Sequence, residues 1–405
     1  MKKVLKKLIV FCFCLFLLTG CNLKEVIKDL IGTSSSSSQQ IGGGNNDGCT
    51  VYSNLSILIE QEEVEVLSTS NLETVFEKVN EATFMATACY IVGGTRYERI
   101  ASGFIIEKTK LEDAYKYYLV SSASKLFYRG LDADGKVIIN REPEYVEIVL
   151  GDYKRYYAKV EKYYERLDVV ILSIETKDEL EVLKYGDSDS LILGDTVYSM
   201  GTPELGVSLL NTMNKGSISK LNASSSLYYN NEQIASYTTH QFDAPTNLGM
   251  EGGPVFTSNG EVVGILTYKY GTNDNYESWS RFIPINNVKN CLEALVQNQD
   301  YAIPTVGIQV IDLYNAVALY GVNWTDGLGL YEGCYIDSVV AGSASAKAGI
   351  TGDSVIVGAY LNDEYFEIKG TNYIQVVLSR FKEGDTLKFE VQYKTSKKVH
   401  VIFGD

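Results

Sequence analysis

Short apolar segments separated by turn residues dominate this chain from Thr83 onward, and they limit the folds open to it. Clear examples are 89–92, 103–106, 117–120, 146–150 and 169–174. Many short apolar segments without helical periodicity between them predict β-barrels or β-sandwiches. One helix is predicted just before them, because residues 70–73 (Ser-Asn-Leu-Glu) have the form of a capping box and open a short helix through about Glu81.

The first 21 residues have the pattern of an export signal. An apolar run over 8–18 is too short to span a bilayer comfortably, and it follows the basic residues Lys2, Lys3, Lys6 and Lys7. Residues 18–21 then read Leu-Thr-Gly-Cys, which resembles a bacterial lipobox. That resemblance implies cleavage before Cys21, lipidation of its thiol, and a lipid-anchored protein on the extracytoplasmic face of the bacterial cell membrane. A buried helix and a simple secreted signal are the alternatives.

Composition predicts that the segment after the signal is flexible, and net charge limits which partners the mature chain can bind. Residues 22–69 resemble a flexible tether, since the serines at 34–38 and the glycines at 42–44 cannot bury a core. The formal net charge is −15, and removal of the four signal lysines leaves the remainder near −19. Such an acidic surface disfavours nucleic acid and is repelled by anionic lipid head groups, so membrane attachment should depend on the lipid anchor.

The cysteines do not form a metal-binding pattern. Of the seven in the chain, four remain outside the signal and the anchor, and they are widely spaced: Cys49, Cys89, Cys291 and Cys334. Export permits disulfides, but the spacing predicts no pairing, and we expect buried free thiols. Because no metal-ligand or phosphate-binding spacing occurs elsewhere, neither a metal nor a cofactor is expected.

The segment 249–254, Gly-Met-Glu-Gly-Gly-Pro, resembles the Gly-x-Ser-Gly-Gly-Pro turn of trypsin-like serine proteases. Its flanks resemble those of HtrA/Deg proteases, and the resemblance extends from about Asn71 to the C-terminus. It implies a mainly β fold: a chymotrypsin-like double β-barrel over 70–298, followed by a PDZ-like α+β domain over 299–405. In that family the turn presents a serine hydroxyl beside backbone N–H groups that hold the oxyanion.

The resemblance assigns the three catalytic positions to Ser124, Asp168 and Glu251. Asp168 matches the catalytic aspartate, although by itself it would be taken for a residue at a strand end. Ser124 stands where the family has its histidine, and Glu251 stands where it has its serine. A serine hydroxyl is no base near neutral pH, and a carboxylate brings no hydroxyl for attack. Two of the three catalytic groups are therefore degenerate.

No other histidine has the local sequence of a catalytic base. The chain contains only His240 and His400, and both are expected to be structural or exposed. We hypothesise that the Glu251 carboxylate fills the oxyanion hole formed by the N–H groups of Gly249 and of Glu251 itself. Asp168 nearby is then expected to raise the pKa of one or both carboxyl groups.

The sequence around Ser124 also matches a motif of another enzyme class, and we attribute this match to chance. Residues 122–125 have the Ser-x-x-Lys form of penicillin-recognising enzymes. A match of four residues is common by chance, and the partner motifs are absent.

The C-terminal part resembles a PDZ domain. Residues 343–350 and 352–357 resemble its short helix and following strand, and 373–381 its second helix. The resemblance implies a peptide added as a strand, with its carboxylate held by loop N–H groups of Val306, Gly307 and Ile308. The alternative is a groove that is closed or that only packs against the barrels, and the stretch 314–331 is a candidate cover.

The leading hypothesis is therefore a membrane-anchored, catalytically inactive HtrA-like protein. It is expected to bind peptides or unfolded protein segments as a chaperone or adaptor. Two alternatives remain: an active serine endopeptidase with non-standard catalytic residues, and a surface adhesin or structural lipoprotein. The family resemblance also allows a homotrimer.

Overall fold

The computed structural model describes residues 69–404, except 93, 132–136, 230–231, 268–278, 323 and 325–327. Residues 66–405 belong to one compact unit. The proposed signal, the tether up to residue 68, Cys21 and Cys49 lie outside the described residues.

The described part of the chain contains twenty strands and six α-helices. Its elements are α1 (Thr69–Ala82), β1 (Thr83–Val92), β2 (Thr95–Lys110), β3 (Tyr115–Ser122), α2 (Ala123–Leu126), β4 (Tyr128–Leu131), β5 (Val137–Arg141), β6 (Tyr145–Leu150), β7 (Arg155–Tyr164), β8 (Val169–Thr176), β9 (Thr196–Gly201), β10 (Thr212–Tyr229), β11 (Glu232–Phe242), β12 (Pro254–Phe256), β13 (Val262–Leu266), β14 (Ser280–Pro284), α3 (Ile285–Val296), β15 (Ile308–Asp312), α4 (Leu313–Tyr320), β16 (Cys334–Val339), α5 (Ala344–Lys347), β17 (Ser354–Leu361), β18 (Glu364–Glu367), α6 (Thr371–Arg380), β19 (Leu387–Gln392) and β20 (Lys397–Phe403). The helix predicted after the capping box is confirmed as α1.

The first barrel closes in the strand order β1-β2-β3-β8-β7-β6. All five apolar segments named above lie in its strands. Side chains alternate across each strand, so every second residue of β1 enters the barrel core: Phe84, Ala86, Ala88 and Tyr90. The short helix α2 follows β3 at the end of the barrel, with the buried Leu126 in the same core.

The second barrel closes in the order β10-β11-β14-β13-β12-β9. Phe242 and Phe282 pack inside it at 5.9 Å between ring centroids. A further apolar cluster joins the two barrels, because Phe104 and Val120 of the first belong to the same buried cluster as Phe256 of the second. Both barrels therefore meet across a packed interface, and the loops at that interface carry the candidate site.

The C-terminal domain is a sheet in the order β15-β16-β17-β19-β20, with β18 paired to β17. Helix α6 covers one face with Ile374 and Val377. Helix α4 lies on the opposite face, where Leu313 packs with Tyr335. The described residues of the stretch 314–331 therefore do not cover the face that holds α6, contrary to the candidate cover suggested by the sequence.

Helix α6 also contacts the second barrel. The Arg380 guanidinium donates to Asp189 through both Nη atoms, at 2.6 and 2.7 Å. Thr238 Oγ donates to the carbonyl oxygen of Asn372 at 2.9 Å, and Tyr301 Oη to that of Ser379 at 2.7 Å. These contacts form the joint between the C-terminal domain and the second barrel.

The mainly β double barrel with a following α+β domain is thus confirmed. Cys89, Cys291 and Cys334 are free and buried, as expected for three of the four cysteines. Among the described helices, none has both the length and the apolar composition that crossing a membrane requires.

Candidate functional site

The turn that holds Glu251 lies between β11 and β12, and two glycines shape it. Gly249 and Gly252 have φ of +98° and +90°, a region that disfavours side chains. A Cβ on Gly252 would lie 2.3 Å from the carbonyl oxygen of Ser102. The backbone N–H of Ser102 in turn donates to the carbonyl oxygen of Glu251 at 2.9 Å. This turn is therefore held tightly against β2 of the first barrel.

The Glu251 side chain folds back onto its own turn. Its Oε2 accepts a hydrogen bond from the N–H of Gly249 at 2.7 Å, and the residue is 4% exposed. The Lys125 ammonium lies 3.5 Å from Oε1 of the same carboxylate. Lys125 also donates to Glu204 Oε1 at 3.0 Å. The carboxylate therefore lies against the N–H group that the sequence analysis indicated.

The pKa of Glu251 is raised, and burial is the main cause. The charge of Lys125 and the N–H groups of Gly249 and Glu251 oppose this shift. Asp168 adds a smaller upward contribution. The expected direction is therefore confirmed for Glu251, but burial, and not Asp168, is its largest cause.

Asp168 lies where the two barrels meet, just after the turn Glu165–Leu167, and its backbone is left-handed with φ +54°. Its Oδ1 accepts from the N–H of Ser124 at 2.6 Å. Its Oδ2 accepts from the hydroxyls of Ser122 at 3.0 Å and Ser124 at 3.1 Å. The structure thus brings Ser124 and Asp168 into direct contact, and the carboxylate is surrounded by hydroxyl and amide donors.

Helix α2 links the two halves of the site. Ser122 caps its N-terminus, where its Oγ accepts from the N–H of Lys125 at 3.4 Å. Ser124 points to Asp168, whereas the buried Lys125 points to Glu251. Sequence reasoning missed Ser122, Lys125 and Glu204 as members of the site. The Ser-x-x-Lys motif was the available signal, although the role suggested by that motif was rejected.

Neither histidine contributes to this cluster. His240 is buried in β11, where its Nδ1 accepts from the N–H of Asn222 at 3.2 Å. Burial lowers the pKa of His240. His400 lies in β20 between Tyr393 Oη at 3.0 Å and the carbonyl oxygen of Ala348 at 2.8 Å. Both have the structural contacts that the sequence analysis expected.

The space beside Glu251 is very small. A cavity of about 10 Å³ is lined by Thr246, Asn247, Met250, Glu251, Leu266 and Thr267. About this much space is needed to hold one water molecule. Tyr237 Oη meets Thr267 Oγ at 2.5 Å along its wall. Among the described residues, this cavity offers no room for a substrate side chain.

The loop predicted to bind a peptide carboxylate lies before β15. Val306 is buried, and its carbonyl oxygen accepts from the N–H of Ser345 at 3.1 Å. Gly307 has φ +75°, and its carbonyl oxygen accepts from the N–H of Val340 at 2.9 Å. Ile308 begins β15, which ends the strand order of the sheet and packs against α6. The loop and helix expected to flank a groove are therefore adjacent.

Comparisons with known proteins agree with this geometry. Residues 101–265, which include Ser124, Asp168 and Glu251, match the family model of the trypsin-like peptidase domain. The chain is 32% identical over 236 residues to serine protease Do-like HtrB of Bacillus subtilis (strain 168), across 57% of this chain and 50% of that protein. It is 28% identical over 278 residues to serine protease Do-like HtrA of Lactobacillus helveticus, across 67% and 65%.

Solved structures show the same fold. The HtrA-type protease AlgW with tripeptide superimposes with a TM-score of 0.57 at 17% identity, over 82% of this chain and 95% of that one. The chain spans about half the length of the first curated relatives it matches. Across the barrels this chain is therefore similar in sequence to HtrA/DegP-type trypsin-like serine proteases, and it shares their fold.

Proposed function

We propose that this chain is a catalytically inactive HtrA-like protein that binds peptides or unfolded protein segments. The observation that carries the first half is the carboxylate of Glu251 at the N–H of Gly249. In trypsin-like enzymes such N–H groups stabilise the negative oxygen of the reaction intermediate. A buried carboxylate already fills that position here, so an incoming carbonyl group meets an occupied and negatively charged site.

The missing base supports the same conclusion. Asp168 accepts hydrogen bonds from Ser122 and Ser124, and neither hydroxyl can become the cation that an imidazole forms during acyl transfer. Lys125 is the nearby amine, but its ammonium lies between the carboxylates of Glu204 and Glu251. Loss of nucleophile or base lowers turnover by roughly 10⁶ in a comparable enzyme.

The test of inactivity uses the purified mature chain with casein and with a fluorophosphonate probe. We expect no cleavage and no labelled serine, while an active HtrA protease serves as the positive control. Cleavage that disappears on Ser124→Ala or Asp168→Asn would instead establish an active endopeptidase with non-standard residues.

Peptide binding is supported by an edge strand of the C-terminal sheet. Strand β15 lies at the edge of the strand order, beside α6, in the arrangement that accepts an added strand. Val310 packs toward the core shared with α6, whereas the exposed Gln309 lies on the other face. The loop N–H groups of Val306, Gly307 and Ile308 are the proposed carboxylate donors.

A peptide array with free C-termini tests this groove. We expect Val310→Lys to abolish binding, because it places a charge between β15 and α6, and Gln309→Lys to retain it. Gly307→Glu is unsuitable as a blocked-groove variant, since a Cβ there would lie 2.1 Å from Ser343 Cβ. Failure of every peptide, or equal binding by both lysine variants, would favour a purely structural role.

The lipid anchor is the third element of the proposal. It is supported by the lipobox at 18–21, and it would display the chain at the extracytoplasmic face of the membrane. Expression with labelled fatty acid should mark the wild-type chain and leave Cys21→Ala unlabelled. Label on the Cys21→Ala chain, or a wild-type chain that stays in the soluble fraction, would contradict the anchor. Mass measurement of the Cys21→Ala chain would test the homotrimer.

A further inference from the structure

A cavity of about 350 Å³ lies at the joint between the second barrel and helix α6. Its walls come from the turn before Asp168, from β11, from α6 and from the segment before β15. Its lining residues include Arg166, Leu167, Ser236, Ile303, Gln375 and Val376. The cavity differs from the groove beside β15, because it involves the barrel-facing side of α6. Its volume falls at the lower end of small-molecule pockets.

One buried polar atom on this wall lacks a hydrogen-bond partner. Gln375 Nε2 donates to Ser236 Oγ at 3.3 Å, but Gln375 Oε1 is buried without a donor among the described residues. The neighbouring hydroxyls are already used, since Thr238 donates to Asn372 and Ser379 donates to Val376. Buried acceptors of this kind are normally satisfied by protein, water or ligand. The cavity therefore offers an acceptor for an N–H group.

The cavity also has a cation at its rim. Arg166 is exposed, and no carboxylate of the described residues lies within ion-pair distance of it. A chain of net charge −15 repels carboxylates in general. A guanidinium without a carboxylate partner among the described residues provides local attraction, because it can bind a carboxylate through two parallel hydrogen bonds. Leu167, Ile303 and Val376 supply an apolar surface between this rim and the interior.

We propose that this cavity binds a short peptide end: a free carboxylate, the N–H of the last residue and an apolar side chain. Arg166 holds the carboxylate, Gln375 Oε1 accepts from the N–H, and the apolar wall receives the side chain. A dipeptide suits the volume of about 350 Å³. This site goes beyond the proposed groove, and its occupation does not depend on whether peptides bind beside β15.

The position of the cavity links it to the degenerate site. Leu167 lines the cavity and directly precedes Asp168, which holds Ser122 and Ser124. Tyr237 lines the cavity as well, and its hydroxyl contacts Thr267 beside Glu251. A bound peptide end therefore contacts the elements that support both halves of the site.

Calorimetric titration of the full mature chain with acetyl-Ala-Leu tests this proposal. We expect saturable binding below about 10 mM, the range that a ligand of this size reaches. The C-terminal amide of the same dipeptide should bind at least about tenfold more weakly, since it lacks the charge that pairs with Arg166. Arg166→Gln should weaken the free acid about tenfold and leave the amide unchanged.

Two further variants keep the test decisive. Gln375→Leu should weaken both ligands, and Arg155→Gln, an exposed arginine on the first barrel, should change neither. Thermal unfolding of each variant checks that it is folded. Val310→Lys, which blocks the groove beside β15, should leave acetyl-Ala-Leu binding intact. No saturable binding, equal binding of acid and amide, or loss with Val310→Lys alone would overturn the proposal.

Discussion

The chain has two polar joints, and they differ in how their polar groups are satisfied. Between the barrels, Asp168 and Glu251 are surrounded by Ser122, Ser124 and Lys125, and the cavity beside Glu251 is only about 10 Å³. Between the second barrel and α6, a cavity of about 350 Å³ remains, with an acceptor that no described residue satisfies. Around Asp168 and Glu251 the polar groups are paired with one another, whereas the joint at α6 leaves space for a ligand.

The difference follows from the side chains at each joint. A glutamate is long enough to bend back onto the N–H of Gly249, and a lysine long enough to reach it from α2. At α6 the shorter Ser236 and Ser379 leave a gap that Gln375 does not fill. We therefore expect substitutions between the barrels to affect stability, and those at the second joint to affect binding and motion.

The largest effect is expected for Lys125→Met. This variant removes the cation beside a carboxylate that is 4% exposed, and breaking such a buried pair typically costs about 3–5 kcal/mol of unfolding free energy. Urea unfolding at pH 7 measures the loss. The matched control is Glu204→Gln, because Glu204 is half exposed and should cost less than about 1 kcal/mol.

A double variant separates charge from packing. Lys125→Met with Glu251→Gln should recover much of the stability, since no buried charge is left unpaired. Equal losses for the single and double variants would show that the lysine stem, and not its charge, stabilises the joint.

The second expected effect is a pH dependence that originates at Glu251. Its folded pKa lies above 4.5 because it is buried, so the folded state holds more protons than the unfolded state between 4.5 and the folded pKa. The free energy of unfolding should therefore fall as pH rises through that window and stay level above it. Glu251→Gln has no titrating group at this position. Within that window its free energy of unfolding should therefore rise, relative to that of the wild type, by up to about 1.4 kcal/mol per pH unit.

Urea unfolding from pH 4.5 to 8 measures that difference. Glu261→Gln, an exposed carboxylate on the next hairpin, is the control and should follow the wild type. A wild-type curve parallel to that of Glu251→Gln throughout would mean that Glu251 does not titrate abnormally.

The sequence predicted the residues between the barrels more completely than those at the joint with α6. The apolar segments predicted strands of the first barrel, the resemblance predicted both barrels, and the same resemblance singled out Ser124, Asp168 and Glu251, which lie close together. Lys125 was missed because its role depends on which way α2 points its side chain. The cavity at α6 was beyond reach, since it arises from how two domains pack and no local pattern records that. The lipid anchor at Cys21 and the carboxylate loop at Gly307 stay predictions.

A smaller effect is expected for Arg380→Gln at the second joint. Arg380 donates twice to Asp189 and also to Asn287 Oδ1 at 2.8 and 3.1 Å. Because Asp189 is partly exposed, we expect a loss of only about 1–2 kcal/mol. Hydrogen exchange of α6 should accelerate, and acetyl-Ala-Leu binding should weaken. Lys382→Gln, which removes a more exposed pair to Glu293, is the control, and unchanged exchange in α6 would show that other contacts hold the joint.

The smallest effect is expected from rebuilding the missing catalytic groups. Ser124→His with Glu251→Ser restores the residue types of an active enzyme, but only about 10 Å³ lies beside position 251 in addition to the volume that the glutamate vacates, and Ser122 still donates to both oxygens of Asp168. We expect casein cleavage to stay at background, leaving most of the roughly 10⁶-fold deficit. Adding Ser122→Ala frees Asp168 for the imidazole and isolates the second obstacle. Cleavage by the double variant would show that the site between the barrels can admit a substrate. The closed site and the open cavity at α6 would then no longer differ in this respect.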